Sequence, residues 1–246
     1  MSAPRIEVVS SPEEVAAAAC ELVLQCERAA IARSGQFRIA LAGGSTPRRL
    51  YELLAQRSDA SFASWQVFFG DERWVPADHA DSNYRMARLA LFDRAAMRAA
   101  QIHPVDTAAG SPAKAAALYS MTLRRALAPE PGQMPVLDLV LLGMGADGHT
   151  ASLFPGSSAL AAGPHEIAVA TWVAAQHAWR VTLTRAAINA ARAVVFTITG
   201  AEKAAALAHV LAPDITEVLP AAAIRPRGEL VFLVDEAAAA RLRTTP

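Results

Sequence analysis

Cysteine, lysine and net charge are all scarce in this 246-residue chain, and each shortage excludes something. The only cysteines are Cys20 and Cys26. Six residues apart within a helical pattern, they are badly placed to bridge each other, and they read as reduced thiols of a cytoplasmic protein. Lys+Arg 23 and Asp+Glu 23 cancel, so the strongly basic surface of a general nucleic-acid binder is missing. No apolar run approaches the ~20 residues that cross a bilayer. The opening stretch MSAPRIEVVSSPEEV lacks the apolar core of a secretory signal. The expectation is a soluble, cytoplasmic protein with no nucleic-acid and no membrane partner. Absent too are GxSxG, HExxH and CxxC patterns, which removes the serine-hydrolase elbow and the usual zinc sites. No metal is expected.

What is present is apolar: 53% of the residues are hydrophobic, too many for a disordered chain and enough for a core without staples. The length suits one large domain or two small ones, and the lack of any repeat, low-complexity block or long linker favours a single domain over 1–246. Lysine occurs only at positions 114 and 203, every other basic side chain being arginine. With the many alanines this reads as compositional bias, against which a retained lysine is a weak functional signal.

Strand and helix patterns alternate. SPEEVAAAACELVLQCERAAIARSG has Ser11 as N-cap, Pro12 in the first turn, acids next and Gly35 beyond the end. Strands are predicted at Phe37–Ala42, Trp65–Phe69, Val136–Leu142, Ile167–Val173, Arg180–Leu183, Ala193–Thr199 and Leu230–Val234. Helices are predicted from Thr46 to about Arg57, over Asn83–Phe92, Pro112–Leu127 and Ala201–Leu211. A polar loop is predicted over Gly70–Ser82, and the Pro/Gly-rich stretch Pro129–Pro135 reads as a connection into a core strand. Helices between apolar strands imply an α/β fold with a mostly parallel sheet.

In such sheets ligands bind beyond the carboxyl ends of the strands, and polar loops follow the apolar strands at those places. LAGGSTPRRL places Gly43 and Gly44 at a tight turn, with Ser45, Thr46 and Pro47 opening a helix. Free amides there suit a phosphate, although an ordinary capped turn has the same composition. FFGDERWVPADHADSNYRM carries Asp71, Glu72 and Arg73 at a strand end: a base and a substrate-binding cation, or a solvated ion-pair loop, with Trp74 hinting at packing. LLGMGADGHTASLFPGS contains GxGxxG at Gly143, Gly145 and Gly148. Pro155 and Gly156 follow at once, and Glu166 precedes the next strand instead of ending it, so a dinucleotide site is rejected. What remains is Asp147-Gly148-His149, an imidazole with a carboxylate nearby, as general base catalysis near neutral pH requires. His79, His103, His165, His177 and His209 read as packed or surface histidines. Arg180 and Lys203, at a strand start and a helix start, together offer charge to neutralise a phosphate dianion. Trp172 and Trp179 receive no role.

Taken in order and spacing, LAGGSTP, FFGDERWVP…DSNY and LLGMGADGHTASLFPG, followed by RVTLT and TGAEKA, resemble the 6-phosphogluconolactonases from about residue 37 to 235. The resemblance implies a three-layer α/β/α domain with a Rossmann-like sheet, shared with glucosamine-6-phosphate deaminases. It implies hydrolysis of 6-phosphoglucono-δ-lactone, the second step of the oxidative pentose phosphate pathway, with no cofactor. The deaminase alternative uses a glutamate at the position occupied here by Phe154. A non-catalytic sugar-phosphate-binding domain is the other alternative. The implied roles are His149 as base towards water, Asp147 tuning it, and Arg73 stabilising charge or gripping substrate. Gly43, Gly44, Ser45, Thr46, Arg180 and Lys203 would hold the phosphate, and Asp71 would meet sugar hydroxyls. The implied partner is a small sugar phosphate. Oligomeric state is left open, with a monomer favoured.

Overall fold

A computed structural model describes residues 3–130, 132–212 and 219–242; Met1 and Ser2 of the opening stretch and Pro131 of the Pro/Gly-rich connection lie outside the described residues. The elements run β1 (Arg5–Val9), α1 (Pro12–Ser34), β2 (Phe37–Leu41), α2 (Ser45–Leu54), β3 (Trp65–Phe69), β4 (Asp71–Arg73), α3 (Asn83–Ala87), α4 (Pro112–Leu127), β5 (Leu139–Leu142), β6 (Ala168–Val173), β7 (Ala178–Leu183), α5 (Arg185–Asn189), β8 (Ala193–Ile198), α6 (Ala204–Val210), β9 (Glu229–Asp235) and α7 (Glu236–Ala239).

The expected caps form. The Ser11 hydroxyl accepts from the Glu14 amide, and Gly35 ends α1 in the left-handed region at φ 72°. A parallel six-stranded sheet has the order β1-β9-β8-β5-β2-β3. Its residues alternate between two apolar layers, as a period of two demands. Ile39, Leu41, Val67, Phe69, Leu139 and Leu141 pack towards α1 and α2. Ala40, Phe68, Val140, Leu142, Phe196 and Phe232 face the opposite layer, which includes residues of α4 and α6. Phe196 and Phe232 stack there at 4.7 Å. The α/β expectation is met: helices flank both faces of a parallel sheet.

A second, antiparallel sheet, β4-β7-β6, stands beside it. Gly70 joins the two, donating to the Leu41 carbonyl at 2.8 Å and accepting from the Leu183 amide at 2.8 Å. Two buried tyrosines close the strand ends that lead into the functional loops. Tyr51 accepts from the Ala42 amide (2.9 Å) and donates to its carbonyl (2.8 Å). Tyr119 does the same for Phe69, at 2.7 and 2.9 Å. Burial pushes both phenols well above their usual range, so they remain neutral donors.

Some boundaries differ from the sequence expectation. β1 and β4 are strands that no local pattern announces. β1 is an edge strand with Ile6 and Val8 exposed, and β4 is a polar tripeptide that extends only because β7 pairs with it. The segment Val136–Asp138 is not strand. The Asp138 carboxylate instead takes Arg33 at 2.6 Å and the Arg38 amide at 2.9 Å. The helix predicted over Asn83–Phe92 changes after Ala87 into a π-turn, with Asp93 donating to the Arg88 carbonyl. No described helix is long and apolar enough to cross a membrane.

Candidate active site

A cleft of about 330 Å³ opens beyond the carboxyl ends of β2, β3, β5 and β8, where an α/β sheet places its ligands. Gly43, Gly44, Ser45, Thr46, Asp71, Arg73, His149, Arg180 and Lys203 all line it. Asp147 does not; it touches the cleft-lining residue His149.

The start of α2 and the loop after β8 meet in the cleft. Gly44, at φ 114°, turns the chain into α2 with no side chain capping the first turn, so the opening amides face the cleft. The Thr46 hydroxyl bonds the Thr199 hydroxyl at 2.9 Å, tying this turn to the loop after β8. That loop brings in Lys203, whose nearest ion partner, Glu202, is 3.9 Å away and largely exposed.

The DER triplet divides. Glu72 turns inward and is buried. It accepts from the Arg73, Asn83 and Tyr84 amides and the Ser82 hydroxyl, all between 2.8 and 3.1 Å. Burial raises its carboxyl, with the amide bonds opposing; this residue holds the loop together. Asp71 faces the cleft, but its oxygens are engaged by Asn83 (3.1 Å), Ser152 (2.6 Å) and Arg180 (3.6 Å). Gly43 must be glycine for this arrangement, because a Cβ there would lie 2.1 Å from the Asn83 Oδ1.

Arg73 and Arg180 are register partners across β4 and β7. Arg73 donates to the Asp81 carbonyl at 2.6 Å, and Arg180 donates to Gln176. The Nε of each is buried without a partner, and burial, opposed by Asp71, lowers the Arg180 pKa. Two guanidiniums with buried unused donors favour an anionic or oxygen-rich ligand.

Elsewhere in the cleft lining, His149 Nδ1 sits 2.6 Å from Asp147 Oδ1, which accepts from the His149 amide at 3.1 Å. Burial works to raise the Asp147 carboxyl, but the amide and ring of His149 outweigh it and hold it below its usual range. The bonds fix Nδ1 on the carboxylate and leave Nε2 for the cleft. Gly145 makes the room, since a Cβ there would lie 2.1 Å from Nδ1. Phe154 stacks on the imidazole with centroids 4.0 Å apart.

Sequence reasoning overlooked Asn83, Ser152, Gln176, Thr197 and Thr199. Asn83 lay in a quoted motif and could have been found. Gln176 sits on an exposed hairpin tip with no local signal. Trp172 and Trp179 form a half-exposed cross-strand pair at 5.7 Å outside the cleft lining, whereas Trp74 packs against the core. Among the described residues no group of three or more His, Cys, Asp or Glu could hold a metal ion.

This chain matches the profile of the family described as "Glucosamine-6-phosphate isomerases/6-phosphogluconolactonase" over residues 10–233. It is 43% identical over 242 residues to a 6-phosphogluconolactonase of Synechocystis sp., covering 98% of this chain and 99% of the other. It is 43% identical over 238 residues to one of Nostoc sp., covering 96% and 98%. The solved structure of 6-phosphogluconolactonase from Trypanosoma cruzi superposes with a TM-score of 0.89 at 35% identity, covering 100% and 99%.

Proposed function

The chain belongs to the glucosamine-6-phosphate isomerase/6-phosphogluconolactonase family, and we propose that His149 is the base that activates water in its reaction. That reaction is the hydrolysis of 6-phospho-D-glucono-1,5-lactone to 6-phospho-D-gluconate in the pentose phosphate pathway. The observation that carries the mechanism is the His149–Asp147 pair at 2.6 Å, with His149 lining the same cleft as two guanidiniums and the start of α2.

A δ-lactone is an activated ester, so no covalent nucleophile is required. The first α2 amides, Ser45, Thr46 and Lys203 hold the phosphate and place C1 near His149. His149 Nε2 takes a proton from water as the water oxygen bonds to C1. The carbonyl π pair moves onto oxygen, and Arg73 stabilises the resulting oxyanion. When the C1–O5 bond breaks, the imidazolium returns its proton to O5, giving the C5 hydroxyl and the C1 acid, which ionises. Asp147 holds the tautomer with Nε2 unprotonated and then faces the imidazolium. Asp71, bonded to Asn83 and Ser152, holds Arg180 against the substrate and has acceptor capacity left for a sugar hydroxyl. The site takes a small sugar phosphate and the route uses no cofactor.

The test is a time-resolved NMR trace of fresh lactone with wild type, with His149→Ala and with buffer, because the lactone also decays unaided. Wild type should accelerate the decay and His149→Ala should lose about 10²–10⁴-fold of that acceleration. A variant with wild-type kcat would remove His149 as the base.

A further inference from the structure

We propose that Phe154 is a positioning residue that locks the His149 imidazole in its reactive orientation, an inference that rests on His149 being the base. A hydrogen bond from one ring nitrogen fixes a direction but not a plane, since rotation about the Cβ–Cγ bond is soft in histidine. The structure supplies the missing restraint. Gly145 leaves room for the Nδ1–Cε1 edge, where a Cβ would come within 2.1 and 2.3 Å of those atoms. Phe154 covers a face of the ring at 4.0 Å and 21°, close to parallel. The edge bearing Nε2 is left for the cleft.

The chain takes trouble to bring this ring back. Gly148, at φ 74°, starts the reversal. The Thr150 hydroxyl bonds the Gly143 carbonyl at 2.8 Å, and Thr150 and Leu153 bridge in antiparallel fashion. Between them Ala151 sits at φ 47°, a left-handed conformation that is unfavourable for a residue with a Cβ. Ser152 is pinned to Asp71 at 2.6 Å, and Leu153 is fully buried. A strained turn held at both sides therefore delivers Phe154 onto His149, as strain held by its surroundings does at working sites. Phe154 does not line the cleft, so it has no route to substrate except through the imidazole. Its loss should act on kcat and leave KM alone.

The experiment compares Phe154→Leu, which stays apolar but removes the flat ring, with Phe154→Tyr, which keeps the ring. It adds the ¹H spectrum of the histidine Cε1 protons, with His149 assigned by its loss in His149→Ala. Phe154→Leu should lower kcat roughly 10- to 100-fold, the scale of a misplacement near an ångström, with KM within about twofold, a change too small to register as lost binding energy. Phe154→Tyr should stay near wild type. The His149 resonance should be shifted upfield by the stacked ring in wild type and Phe154→Tyr, and move downfield in Phe154→Leu. A fully active Phe154→Leu, or a His149 resonance that does not respond to the ring, overturns the proposal. If Phe154→Leu does not fold, the wild-type shift decides alone: an unshifted His149 refutes the stack. An active His149→Ala would instead overturn the base assignment, while an inactive His149→Ala beside an active Phe154→Leu overturns only this inference.

Discussion

Gly145→Ala isolates the His149–Asp147 pair more cleanly than replacing either partner. Gly145 is not one of the glycines with positive φ, so alanine meets no backbone penalty there and the whole effect is steric. The new methyl would lie 2.1 Å from His149 Nδ1, 2.3 Å from Cε1 and 2.4 Å from Asp147 Oδ1. Ordinary contact begins near 3.4 Å, so the imidazole must retreat by more than an ångström. Its 2.6 Å bond to Asp147 cannot survive that movement. His149 is only partly buried, so it can swing into the cleft and the fold should lose about 1 kcal/mol, the worth of one hydrogen bond. Turnover should suffer far more: a displacement of this size costs roughly 100-fold in kcat, about 2.7 kcal/mol. The assay is the buffer-corrected NMR trace of lactone decay, paired with a thermal melt. A soluble Gly145→Ala with kcat within about threefold of wild type, less than 1 kcal/mol, would refute the claim that this geometry drives the reaction.

Other outcomes follow from the same structure. Lys203→Ala should raise KM for the phosphorylated lactone roughly tenfold or more, the worth of a charge-assisted bond, and leave the unphosphorylated lactone unaffected. Equal effects on both substrates would take Lys203 out of the phosphate site. Tyr119→Phe strips both Phe69 backbone groups of their buried partner and should cost about 1–3 kcal/mol, seen as a lowered melting midpoint; an unchanged midpoint would contradict it. Asp147 is held below its ordinary value of 3.8 by His149, against burial. Its folded pKa thus lies under the unfolded one, so its stabilising contribution is present above that ordinary value and lost as pH falls through the folded value. Denaturant midpoints of wild type and Asp147→Asn should therefore converge as acid is added, and parallel curves would show that the carboxylate contributes nothing.

Much of this protein is written in short windows of its sequence. The caps of α1, the buried strands β2, β3, β5 and β8, and the glycine turns after them are set by apolar runs and residues with special backbone freedom, whose effects reach only a few positions. His149 and Asp147 are two residues apart, so their loop alone brings them close. Other features depend on partners distant in the chain. β1 and β4 are extended only because β9 and β7 receive them, and the facing of Arg73 by Arg180 is a matter of register between strands about a hundred residues apart. The commitment of Asp71 to Asn83, Ser152 and Arg180, and the approach of Gln176 from a hairpin tip, have no local signal for the same reason. Periodicity and capping depend on energies within one element. Register and side-chain pairing across elements depend on how the packed layers close, and only the assembled core decides that.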